Sequence, residues 1–173
     1  MTLEDEPPET AFDPAALPST FPLSQEALWQ AVVQDYARAG MADHCLALQD
    51  RYGLDVPLVL VARSVIAKGW RLNAAAWQRV AAEVAPWRSE VILPLRGARQ
   101  WMKGEGEMPA HPLRSEIKKL EISAEREEIA QLHRLLQRET PEPLHEAAAW
   151  SALELALRLP PASLTPLRAI PQA

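Results

Sequence analysis

One cysteine, Cys45, occurs in a chain of 173 residues, and a lone thiol closes no internal disulfide. The four histidines, His44, His111, His133 and His145, are scattered, so no zinc-finger or zinc-ribbon spacing can be drawn and no metal ligand is expected. Threonine is missing from residue 21 to residue 139, and no run of residues alternates with period two, which leaves any strand without partners. No stretch approaches the roughly 18 uninterrupted apolar residues of a membrane span. The first residues, Met-Thr-Leu-Glu-Asp-Glu-Pro-Pro, are acidic where a secretory leader would be basic and then apolar. A cytoplasmic protein with no membrane insertion is the expectation. No catalytic residue and no cofactor can be assigned, because no nucleophile, base and oxyanion donors form a complete set.

What is present divides the chain. Residues 1–23 carry charge −5, residues 24–103 carry +3 and residues 104–173 carry −3. A mildly basic centre in an acidic protein is no footprint for duplex DNA, but it leaves room for a local anion site. Five of the 16 prolines fall in the first 22 residues and four in the last 14. The expected organisation is an acidic Pro-rich tail over 1–23, a helical core over 24–103, a linker and charged helical arm over 104–139, a C-terminal helix over 140–159 and a Pro-rich tail over 160–173. Both tails are expected to be disordered, since proline-rich segments with few large apolar residues cannot offset the entropy of ordering.

Helices are predicted from caps and periodicity. Ser24 caps a first helix over 25–39, and Gly40, Gly53 and Gly69 each suit a helix C-terminus. A second helix runs over 42–52, and a third begins after Asp55 and runs to Lys68. That third segment is apolar nearly all round and rich in β-branched residues, so a buried strand is its alternative; as a helix it must sit centrally. Asn73 caps a fourth helix that ends before Pro86, and a fifth spans Trp87 to Lys103 with a bend at Pro94. One or two charged helices occupy 113–137. The last helix, starting at Thr140, carries Ser151, Glu154 and Arg158 on one narrow polar stripe, so most of its circumference needs covering by the core or by another subunit.

Leu28-Trp29, Tyr36-Ala37, Gly40, the run Cys45-Leu46-Ala47-Leu48-Gln49-Asp50-Arg51-Tyr52-Gly53-Leu54-Asp55-Val56, Trp87, Pro94-Leu95-Arg96 and Arg99 together resemble an uncharacterised proteobacterial family of small helical proteins, a domain of unknown function. The likeness covers about residues 24–128. It implies a bacterial, cytosolic, all-α protein and supplies no activity.

Two groups of residues are candidates for function. Asp50 sits in the last turn of the second helix, where the macrodipole disfavours a negative charge by about 0.3–1 kcal/mol, and Arg63 is the only charge between Asp55 and Lys68. These two are expected to pair, either as a structural contact or, with Gln49, as the lining of a small polar site. Arg88, Arg96, Arg99 and Lys103 lie along one side of the fifth helix and could bind an anion or an acidic partner, or could pair with acids of the Glu-rich segment 121–128. Asp43-His44-Cys45 cannot form a relay, because adjacent helical residues point apart, and Cys45 falls on an apolar stripe as a packed thiol. Most of the six tryptophans suit packing.

The chain is therefore expected to be an all-α, compact helical bundle acting as a non-catalytic interaction or adaptor protein. Its partner would be an unidentified protein, or its own copy through the C-terminal helix. The alternative is a small-anion or RNA-binding module using the basic face of the fifth helix; an enzyme ranks third.

Overall fold

The computed structural model describes residues 17–172, so most of the expected acidic tail lies outside it. Helix α1 (Gln25–Tyr36) starts where the Ser24 hydroxyl accepts from the Ala27 N–H at 3.2 Å. Gly40, at φ +82°, turns the chain into α2 (Met41–Tyr52), and Gly53, at φ +65°, ends it. Both positions lie in the left-handed region that costs a side chain strain and glycine little.

Helix α3 (Val56–Ala67) settles the choice between strand and helix. The Asp55 carboxylate accepts from the Leu58 N–H at 3.2 Å, Pro57 occupies the first turn, and every residue from Pro57 to Ile66 is buried. A helix without a polar face has to be surrounded, and α1, α6 and α7 pack on α3.

Helix α4 (Ala74–Trp87), capped by Asn73, does not stop before Pro86. It runs on through a π-helical turn, Arg88–Ile92, into α5 (Leu93–Lys103). The wider turn, in which the Leu93 N–H bonds the Arg88 carbonyl, occurs immediately before Pro94, which lacks an N–H of its own. One extra residue in the turn rotates α5 about its axis by about 100°. That rotation sets the face on which Arg96 and Arg99 emerge.

The charged segment forms one helix, α6 (Pro112–Leu136), against α1, α3, α4 and α5. It contributes Ile129, Leu132 and Leu136 to the same apolar core as α1, α3 and α4. The last long helix, α7 (Glu146–Ala156), begins later than Thr140. Pro141 and Pro143 interrupt the start, and the segment is held as a loop instead: the Glu142 N–H donates to the Arg71 carbonyl at 2.7 Å, and Arg71 Nη1 donates to the Leu144 carbonyl at 2.7 Å.

The apolar surface of α7 is used within its own chain. Ala149, Trp150, Leu153 and Ala156 are buried against α3 and α4, and Leu155 is the large apolar residue left outside. This removes the apolar face on which self-association through α7 was expected to rest. The stretch 160–172, expected as a tail, is docked: Leu164 and Leu167 are fully buried, the latter in the short helix α8 (Thr165–Ala169) beside α2. Glu154 makes the docking specific, since its carboxylate accepts from the N–H groups of Ala162, at 3.0 Å, and Leu164, at 2.9 Å. Scarcity of apolar residues argued for a tail; two well-placed leucines and a carboxylate are enough to override it. Among the described residues no helix is long and apolar enough to cross a membrane.

Candidate binding groove

Five helices, α1, α2, α3, α5 and α6, line a groove of about 440 Å3. From α1 come Trp29, Val33 and Tyr36, which lie beside the inward stripe Leu28, Val32 and Asp35 and so point sideways along the helix. From α2 comes Leu46, from α6 Ile122, and the floor is the start of α3, Val56, Pro57 and Leu60. Val33, Tyr36, Leu46 and Ile122 are each 40–48% exposed, so the rim is apolar and open to solvent.

The polar end of the groove is built from an antiparallel face-off. Arg96 and Arg99, three apart on α5, meet Glu121 and Glu125, four apart on α6, as helical spacing allows. Arg96 Nε donates to Glu121 at 2.8 Å, its Nη2 to Glu125 at 2.6 Å and its Nη1 to the Gln49 side-chain Oε1 at 2.7 Å. Arg99 Nε donates to Glu121 at 2.5 Å. Burial works against the Glu121 charge, but the two guanidiniums, Arg99 ahead of Arg96, outweigh it and hold the carboxyl below its usual range. For Glu125 burial wins: with only Arg96 in support and Glu121 repelling it, its pKa is raised.

Gln49, Arg96 and Arg99, drawn from two separate candidate groups in the sequence, therefore meet at one place. The other candidates do not join them. Arg88 Nη2 donates to the carbonyls of Gly53, at 2.9 Å, and Leu54, at 3.1 Å, and its Nε lies 3.7 Å from Asp55, so it braces the turn from α2 into α3. Lys103 is exposed and away from the groove lining.

The Asp50 to Arg63 pairing is not formed. Asp50 is exposed, where water screens the helix dipole, and Arg63 turns instead to Asp35 on α1, its Nε 2.7 Å from Oδ2. The remaining guanidinium nitrogens of Arg63 donate to the carbonyls of Leu167 and Ile170. Asp35 was missed, although its spacing of seven from Leu28 and three from Val32 puts it on the buried stripe.

Glu128 was missed as well. It is wholly buried on α6, and neither of its carboxylate oxygens has a hydrogen-bond partner among the described residues. Burial first, then the neighbouring Asp55 carboxylate, pushes its pKa up to about 9 against the opposing pull of Arg88. Cys45, also buried, has its thiol pushed up to about 11, by burial and then by the charge of Asp35. A thiol so hard to ionise is a packing group. Among the described residues no cluster of three or more potential metal ligands occurs.

The described residues thus form an all-α bundle with an open, apolar-rimmed groove, one end of which is a network of arginines and glutamates. The chain belongs to the family described as Protein of unknown function (DUF2390), whose model matches residues 27–132. That span holds most of α1, all of α2 to α5 and most of α6, and with them every residue of the groove. No match was found among curated proteins or among solved structures.

Proposed function

We propose that this protein is a non-catalytic interaction module that receives an apolar segment of a partner protein in the groove between α1, α2, α5 and α6. The observation that carries this reading is the convergence of Val33, Tyr36, Leu46 and Ile122, four of the exposed large apolar side chains, around one concavity with a rigid polar end. Exposed apolar side chains gathered on one site rather than scattered mark a place where another molecule excludes water. Helix-in-groove recognition uses such a surface.

Binding of RNA or a small anion by the same helix draws less support. Arg96 already spends three N–H groups on Glu121, Glu125 and Gln49, which leaves it little to offer a phosphate.

Affinity capture from the native cell with tagged full-length chain, analysed by mass spectrometry, tests the reading through two variants. A protein held by the wild type and by Leu155→Asp, but lost with Leu46→Asp, is the expected result. Capture indifferent to Leu46→Asp overturns the groove as the site; co-purified nucleic acid in place of protein supports the RNA reading.

A further inference from the structure

Resting on the groove as the protein's docking site, we infer that its occupant is a peptide segment pairing large apolar side chains with an acidic residue placed about one helical turn away. The basis is charge complementarity at the polar end. Lys118, one turn before Ile122 on α6, is exposed and has no partner among the described residues, whereas its neighbour Lys119 is paired with Glu116 at 2.7 Å. Arg99 engages Glu121 through Nε and Nη2 and is left with the N–H groups of Nη1, at 21% side-chain exposure. Gln100 adds an exposed amide to the same end of the lining.

The lining thus offers three cations, Arg96, Arg99 and Lys118, against two carboxylates. A carboxylate arriving beside Ile122 would meet the spare donors of Arg99 and Lys118 and complete a charge-assisted contact that the fold itself leaves unmade. A basic segment would meet repulsion. A small apolar acid would satisfy the donors but would leave most of the apolar rim wet, because Val33 and Tyr36 on one side and Leu46 and Ile122 on the others point to solvent. A segment several residues long covers all four.

Random-peptide display on the full-length protein, followed by fluorescence-polarisation binding of the enriched peptides, tests this. Expected are peptides with at least two large apolar residues and an Asp or Glu three or four positions from one of them. Their binding should be abolished by Leu46→Asp, weakened about three- to tenfold by Lys118→Glu, and weakened by added salt. Both substitutions fall on exposed side chains, and unchanged circular dichroism melts of the two variants confirm intact folds. Enriched peptides that need Leu46 but carry no acid, or ignore Lys118→Glu, overturn the acidic partner while the docking groove stands. Failure to enrich any peptide sensitive to Leu46→Asp overturns both. A dimer seen by light scattering and dissolved by Leu46→Asp would make a second copy the occupant, and overturns the inference too.

Discussion

Arg63 Nε lies 2.7 Å from Asp35 Oδ2, with both side chains almost fully buried, at 2% and 6% exposure. This pair joins the middle of α3 to the end of α1, and the carbonyls of Leu167 and Ile170 on the other side of the guanidinium tie in the C-terminal segment. One cation thus organises three parts of the chain that are far apart in sequence. Asp35 is further held by Arg38 Nε at 2.9 Å, three residues on, so its charge is compensated from both sides.

Breaking such a pair from one side strands a charge in a poorly solvated site. Asp35→Asn or Arg63→Met alone should destabilise by about 3–5 kcal/mol in urea unfolding. The double variant should recover part of that loss, by an interaction term of at least about 1 kcal/mol. Simple addition of the two losses would show two independent defects. Asp50→Asn, by contrast, should change stability by less than about 0.5 kcal/mol, since it alters an exposed side chain at the surface.

The docked C-terminus makes a second expectation. A chain ending at Leu159 loses Leu164 and Leu167, each fully buried and worth about 1.5–3 kcal/mol, and leaves the Glu154 carboxylate and part of the Arg63 guanidinium without hydrogen-bond partners. Its thermal midpoint should fall well below that of the full chain. A chain of residues 22–140, which lacks α7 as well, should lose cooperative melting, because Trp150 and Leu153 belong to the common core. An unchanged, cooperative melt in either would mean that the removed C-terminal segment packs only weakly on the rest.

Cys45 gives a simple chemical check. With 1% exposure and a thiol pushed up to about 11, it should resist iodoacetamide in the native protein at pH 8 and react fully once guanidinium chloride unfolds the chain. Rapid modification of the folded protein would show that the site opens locally or that the thiol is activated.

Helix positions and caps are legible in the sequence where a local signal sets them: Ser24, Asp55 and Asn73 cap the helices they were expected to cap. Pro86 misleads, because a proline ends a helix only when the lost hydrogen bond and ring clash cannot be absorbed, and the π-helical turn just beyond it is outside the reach of any local propensity. The basic side of the fifth helix is legible as a cluster, and its pairing with the Glu-rich segment is an open alternative that Glu121 and Glu125 fulfil. Partner choice across helices is not legible. Asp50 and Asp35 are both plausible mates for Arg63, and only the packing of α1 on α3 selects between them. Glu128 is invisible for the same reason: in sequence it is one more acid in Glu125-Arg126-Glu127-Glu128, and nothing local says that it points inward while Glu127 pairs with Arg134 at the surface.

Glu128 supplies the last prediction, a pH dependence whose sign can be worked out. Its carboxyl is ordinarily half-ionised at 4.5, and in the folded protein burial and the Asp55 charge push this up to about 9. A group whose folded pKa is raised binds its proton more tightly in the native state. Its contribution to stability is therefore fully present below about 4.5 and is lost as pH rises through about 9. Across that window the folded state holds about one proton more than the unfolded state, so stability should fall by up to about 1.4 kcal/mol per pH unit from this group alone. Glu128→Gln keeps the shape and polarity of the protonated acid but cannot ionise. Urea midpoints measured at pH 5, 7 and 9 should decline for the wild type and decline less for Glu128→Gln, leaving the variant the more stable of the two at pH 9. Parallel pH profiles would show that Glu128 is charged in the native protein at neutral pH, with its compensation coming from Arg88 and not from a proton.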